Sequence, residues 1–364
     1  MRAPHPASEQ PPPCGPSIPR RTRGIRGLWA MILFAACATT EPTPPPDTSV
    51  DRISPASDGT RHADAVGPET TGDRGASVAA GCPRYGEYIV TATLDTGELP
   101  EASGLAMSGH RPDVLWAHND SGDGPTLYAI STSGALLARL HLEGVVANDF
   151  EDLARAACPD GSGSCLWVAD IGNNNTPRTT FAIHVIPEPI IDETADAIED
   201  KVVAPIATYT FSYPEEAVDS EALLVASDGS SFWLIEKVDG PSARIFAGTV
   251  ADARAGPFTL ALAGLLRSPA IDIPMGRMVT GADLNTTGMA VALRTYIGVF
   301  VYRLQEAFAM HTLDRLEPLL VANGPLEEPQ GESVTFGVDG ELWTLSEDPQ
   351  GQGFQPLIRY PCLP

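Results

Sequence analysis

Basic residues are scarce in this chain. Of 364 residues, 23 are Lys or Arg against 47 Asp or Glu, a formal charge of −24. A surface of that sign repels phosphate backbones, so nucleic acid is excluded as a partner, while cations and basic partners are accommodated. The same charge also keeps an exported protein soluble, so it assigns no site by itself. Aromatic residues make up only 7%, whereas Gly and Pro each number 34. That balance argues against long helices and for many short elements joined by turns. No apolar run approaches the ~20 residues that span a bilayer. GxSxG, HExxH and phosphate-binding loops are missing, which removes the standard nucleophile, zinc-protease and P-loop readings. No CxxC pair exists, so zinc-ribbon and thioredoxin chemistry have no support, and the histidines show no metal-ligand spacing.

What is present begins with an export signal. Arg20, Arg21, Arg23 and Arg26 precede the apolar run Leu28–Ala36, and Cys37 follows. A basic segment, a short apolar stretch and small residues before a cut describe a secretory signal over residues 1–36. Phe34-Ala35-Ala36-Cys37 resembles the lipobox of bacterial lipoproteins, which implies that Cys37 is lipidated and becomes the mature N-terminus. Phe34 stands where that family prefers Leu, and ordinary cleavage nearby is the alternative. Residues 37–80 are rich in Pro, Thr, Ser and Asp and bury too little apolar surface to offset ordering entropy. They read as a disordered tether, leaving 81–364 as the folded domain. The only membrane contact expected is through the lipid anchor. In an oxidising compartment four further cysteines should pair. Cys158 with Cys165 flanks a Gly/Ser turn, and Cys82 with Cys362 joins the two ends of the domain.

The domain repeats one plan roughly every 50–70 residues, close to the 40–50 of propeller repeats. A first strand starts near a carboxylate: Glu101-Ala-Ser-Gly, Glu151-Asp-Leu-Ala, Glu221-Ala-Leu-Leu, Ala282-Asp283-Leu-Asn and Glu332-Ser-Val-Thr. In the fourth unit the acid sits one place later, level with Asp152. Second strands carry Trp116, Trp167, Trp233 and Trp343 at one position, with Val291 replacing Trp in the fourth. Packing between blades explains that column. Three places on lie Asn119, Asp170, Glu236, Arg294 and Ser346. Third and fourth strands follow in each unit until the chain runs out after the third strand of the fifth. Tyr88–Leu94, unassigned to any unit, can complete that last sheet. The expected fold is an all-β, five-bladed propeller closed by its N-terminal strand. A six-bladed form with a degenerate blade in 190–204 or 263–281 is the alternative, and residues 193–200 read as a short helix.

In an antiparallel hairpin, the start of the first strand and the end of the second share one rim. Glu101, Glu151, Asp152, Glu221, Asp283 and Glu332 should therefore converge on one mouth of the central channel, ringed by Asp120 and Asp170. Carboxylates so crowded require cations or shifted pKa values. Dense hard oxygen ligands suit Ca2+, whereas backbone capping is the competing role of Asp and Asn. Asn119-Asp-Ser-Gly-Asp-Gly124 imitates a calcium loop but lacks the acid an EF-hand needs at its twelfth position. His118, Lys237 and Arg294 are candidates to hold an anionic ligand; alternatively each pairs with a nearby acid, Arg294 with Asp283 for example.

WAHNDSGDGPTLYAI, NDFEDLA, VADIGNNNTPRTTFAIHVIPEP, SEALLV, ALRTYIGVFVY and PQGESV together resemble exported, largely uncharacterised bacterial β-propeller proteins over residues 88–360. The resemblance implies the fold and no activity. In architecture the chain is also similar to β-propeller phytases and esterase-like-of-phytase domains, whose motifs it does not share. Three functions stay open. The domain is a monomeric, envelope-anchored module binding a cation and a small-molecule or protein ligand at its mouth. Alternatively it is a Ca2+-dependent phosphoester or ester hydrolase, or a structural surface protein.

Overall fold

Short alternating apolar runs broken by glycine turns pair most readily with their neighbours in sequence, and here most of them pair as consecutive antiparallel hairpins. The computed structural model describes residues 82–364 except 95–96, 121, 174–176, 193–196, 270–272, 324–327, 349–350, 352 and 354. Among the described residues the strands form five blades. Counted outward from the channel, blade one is Ala102–Met107, Val114–Asn119, Thr126–Ser131 and Leu136–Leu142. Blade two is Phe150–Ala157, Ser164–Asp170, Phe181–Pro187 and Ala207–Ser212. Blade three is Ser220–Val225, Ser231–Glu236, Ser242–Thr249 and Ala261–Arg267. Blade four is Val279–Leu284, Ala290–Thr295, Gly298–Arg303 and Leu319–Asn323. Blade five is Gln330–Phe336, Leu342–Glu347 and Gln355–Tyr360, with Ile89–Leu94 paired antiparallel on its outer edge. Inner strands contact one another in the order one to five, and five contacts one.

The hydrophobic cores lie between blades, because each sheet buries both faces. Trp116 fills the core between blades one and two, and Trp167 that between two and three. Trp233, half-buried, packs into the core between three and four and stacks on Phe308 at 6.0 Å. A smaller core joins four to five, and Trp343 lies in the one joining five to one. Truncating a buried aromatic of this kind costs about 3–5 kcal/mol, so packing accounts for the Trp column, with Trp116 and Trp343 also donating from Nε1 to Glu188 and Glu341. In blade four the matching residue is Ala292 rather than Val291: Ala292 faces the four–five core, as the tryptophans face their next blade, while Val291 faces backward.

Two outer strands depart from simple hairpin succession. Glu199–Val203 leaves blade two and pairs parallel with Leu136–Leu142 of blade one. Phe258–Thr259 pairs parallel with the outer strand of blade two before the chain enters blade three's last strand. The insertion at 190–204 is thus a strand shared between blades rather than a sixth blade. The helix expected over 193–200 is replaced by strand at 199–200, and 193–196 lie outside the described residues. Among the described residues helix is confined to single turns at Val250–Ala253 and Pro274–Arg277 and a 3-10 segment at Met310–Arg315.

Both expected disulfides are present, Cys82–Cys362 and Cys158–Cys165. The first lies beside a two-residue ladder in which Arg84–Tyr85 pairs with Cys362–Leu363. No described helix is long and apolar enough to cross a membrane. Cys37 and the export segment lie outside the described residues.

Candidate functional site

One backbone irregularity recurs in every blade and builds the site. The ladder between first and second strands slips between Phe150 and Asp152, Ser220 and Ala222, Gly331 and Ser333, Val279 and Gly281, and Ala102 and Leu105. A β-bulge leaves one residue unpaired and re-aims its side chain. In blades two, three and five that residue is Glu151, Glu221 and Glu332. All three are buried, at 2%, 3% and 4% exposure. In blades one and four the place is taken by Ser103 and Thr280. Their hydroxyls donate instead to the next blade's backbone, at Glu151 O and Gly331 O. Bulged hydroxyls therefore tie blades together, and bulged glutamates line the mouth.

Two residues before each bulge stand Glu101, Asp149, Asp219, Met278 and Gln330; on the second strands, one residue past the rung that flanks each bulge, stand Asp120, Ile171, Lys237, Tyr296 and Glu347. These form two further tiers of the same mouth. Carboxylate oxygens of Asp120, Asp149 and Glu151 lie within 4.8 Å of one another, and so do those of Glu151, Asp219 and Glu221. That is the span of two ligands on opposite sides of one cation at about 2.4 Å. Glu151 belongs to both groups, and its Oε1 is buried with no hydrogen-bond donor among the described residues. Gly172 roofs this oxygen: a Cβ there would fall 1.9 Å from Glu151 Oε1 and 2.4 Å from Asp149 Oδ2. Buried acidic groups are therefore close enough to hold a metal ion, and the backbone above them is stripped of side chain where they meet.

The electrostatics follow from that crowding. Burial pushes the Glu151 carboxyl well above its ordinary range, and the charges of Glu221, Asp120 and Asp149 push it further. Glu332 is raised likewise by burial, Glu347 and Glu221. Glu347 is pushed up to about 8 by burial, Asp120 and Glu101. Burial also raises Glu221, against the pull of Lys237. Lys237 is one cation at this rim, with Arg178 on its far side: the Lys237 ammonium donates to Glu221 Oε1 and sits 4.9 Å from the centre of the Tyr296 ring, and Arg178 donates to Asp170 and to Gly172 O. Burial opposes the charge of Lys237, but Glu221, Tyr296 and Glu332 together hold its pKa above the lysine norm. Gln330 bridges Glu332 and Glu347 through its side-chain amide.

The other sequence candidates lie elsewhere or are engaged. Glu101 is exposed on the rim. Asp170 accepts from Arg178 at 2.6 Å and from Asp149 N–H at 3.1 Å, so it caps a turn. Asp152 is fully buried below the mouth, where its carboxylate accepts from the N–H groups of Leu153, Leu223 and Ala282. Burial raises its pKa and those three bonds oppose the rise. Asp283 is not level with Asp152. Opposite Ala292, as Ala154 is opposite Trp167, it lies two residues further down its strand, toward the other mouth. Arg294 pairs with Glu328 at 2.5 Å rather than with Asp283, which lies beyond the ladder rung joining Arg294 to Gly281. The guanidinium is fully buried against Gly331, where a Cβ would collide with it. His118 is buried, bonds its own strand end at Asn119 O, and has its pKa lowered by burial. In the loop after Asn119, Asp123 accepts from Asn119 and Tyr128, which is capping.

Sequence reasoning passed over Asp149 and Asp219 as ligands. The signal was available as Asp149-Phe-Glu151 and Asp219-Ser-Glu221: an acid two residues before a bulged acid returns to the same side of the strand and rim.

No family model and no curated protein match this chain. Solved structures that resemble it include a luciferin-regenerating enzyme, at 10% identity with 73% of this chain and 92% of that one covered and a TM-score of 0.40. Another is a gluconolactonase from Xanthomonas campestris, at 13% identity, 79% and 93% coverage and a TM-score of 0.41. Likeness at this level carries no argument about chemistry.

Proposed function

We propose that this protein is an exported, envelope-anchored propeller whose acidic mouth binds Ca2+ and uses it to hold an anionic ligand. The observation that carries the reading is Glu151: a buried carboxylate shared by two acidic triads, with one oxygen that has no donor among the described residues. An unpaired buried charge is strongly unfavourable, and a cation relieves it along with the repulsion among its neighbours. Asp120, Asp149, Glu151, Asp219 and Glu221 would hold the ion. All are hard oxygen donors with no Cys or His among them, which favours calcium over zinc or copper.

Lys237 beside Glu221 supplies a second positive group, so a ligand carboxylate or phosphate would meet charge from two sides. Hydrolysis of a phosphoester or ester is the second reading. It is favoured by that same lysine, whose ammonium would stabilise charge building on a phosphoryl group held at the mouth. Export through residues 1–36, lipidation at Cys37, the 37–80 tether and a monomeric state complete the proposal from the sequence. A calcium-titrated thermal melt of the EDTA-stripped domain tests it. Wild type should gain several degrees and Glu151→Gln little or none; equal gains in both would reject the assignment. A phosphoester and ester panel, run with and without Ca2+, separates binding from turnover.

A further inference from the structure

The opposite mouth of the channel holds a second, independent feature. Where the inner strands end, a cavity of about 180 Å³ opens among Met107, Arg155, Asp283, Leu284, Phe336 and Val338. It is smaller than the ~300 Å³ or more of sites for drug-sized ligands. Asp152, hydrogen-bonded to the inner strands of blades three and four, stands between the two mouths.

The charged groups of this cavity are unequally satisfied. Asp283 accepts from Thr335 Oγ1 at 2.9 Å, Phe336 N–H at 2.8 Å and Leu284 N–H at 2.8 Å. Burial raises its pKa to about 6 against those bonds and against the nearby charge of Arg155. Arg155 thus senses Asp283, yet the two are not in ion-pair contact, and no hydrogen bond engages the guanidinium among the described residues. A half-buried guanidinium presents a planar fork of donors and is always charged. Met107, Leu284, Phe336 and Val338 supply apolar wall beside it.

We propose that this cavity binds a small organic carboxylate, with Arg155 gripping the carboxylate in a two-pronged hydrogen bond and the apolar wall covering a short hydrocarbon body. Asp283 is already saturated by protein donors and sets the back of the pocket, disfavouring dianions by its own charge. The site is separate from the calcium mouth and owes nothing to a metal.

The test is calorimetric titration of the EDTA-treated domain with acetate, butyrate, benzoate, succinate and inorganic phosphate, in parallel on wild type, Arg155→Gln and Glu151→Gln. Butyrate or benzoate should bind more tightly than acetate or succinate, and Arg155→Gln should weaken that binding at least tenfold. Glu151→Gln should leave it unchanged, and an unaltered melting temperature of Arg155→Gln in buffer shows that it folds. The proposal is overturned if no monocarboxylate binds, if phosphate alone binds, or if Arg155→Gln binds like wild type. Because all titrations are done in EDTA, failure here leaves the calcium reading standing, and failure of calcium binding leaves this one standing.

Discussion

Replacing Asp152 separates its structural role from metal binding. Its Oδ2 accepts from Leu223 N–H at 2.7 Å and Ala282 N–H at 3.1 Å, and Oδ1 from Leu153 N–H at 2.8 Å. Two of those donors belong to other blades, so one carboxylate ties three inner strands together. In Asp152→Ala three buried N–H groups lose their acceptor. Each unsatisfied donor costs about 1–3 kcal/mol, and loss of the buried charge offsets part of the sum, leaving a destabilisation of roughly 3–5 kcal/mol. Asp152→Asn keeps an oxygen for Leu223 and Ala282 and turns its NH2 toward Leu153, forfeiting one bond, about 1–2 kcal/mol. Urea unfolding in EDTA, with the slope checked for constancy, measures both. Calcium affinity of Asp152→Asn should stay within a few-fold of wild type. If Asp152→Ala lies within about 1 kcal/mol of wild type, or Asn is as damaging as Ala, the cross-channel tie is wrong.

Removing the disulfides one at a time should rank them by loop length. Cys82–Cys362 spans 280 residues and Cys158–Cys165 spans 7, so chain entropy gives about 5 kcal/mol for the first and about half that for the second; urea midpoints of the paired Cys→Ser variants check the order. The metal-free domain should lose stability as pH rises. Glu347 has a folded pKa of about 8 against 4.5 unfolded, so the folded state holds the extra proton between them; the stabilisation is complete below pH 4.5 and is lost as pH climbs through 8. Melting temperature in EDTA should therefore fall from pH 6 to pH 8.5, and a flat profile would show that the mouth is less crowded than described.

The hairpin unit was legible because alternation, a glycine turn and one Trp per unit survive in four blades out of five. So were the disulfide partners, from the positions of the cysteines. The bulges were not, since an extra residue in a strand leaves no mark in composition. That ambiguity of register moved Glu101 by two residues, onto the level of Glu151, when it matches Asp149. It also moved Asp283 onto the level of Asp152, when Gly281 matches it, and put Val291 for Ala292. Blade four misled most because neither a Trp nor a bulged acid remained to fix its register. The parallel strand Glu199–Val203 was hidden for another reason: its partner in blade one is some sixty residues away, and nothing local announces it. Arg294 was assigned to the nearest acid in sequence register, whereas Glu328 reaches it from the connection into blade five.

A crystal of the domain grown or soaked in CaCl2 would show whether the mouth holds the ion. Ion density is expected among Asp120, Asp149, Glu151, Asp219 and Glu221, with Glu151 Oε1 about 2.3–2.6 Å from the ion. An ordered ion seated instead at Asp170 or in the Asn119–Gly124 loop, or bulged glutamates with no ion between them at millimolar calcium, would contradict it.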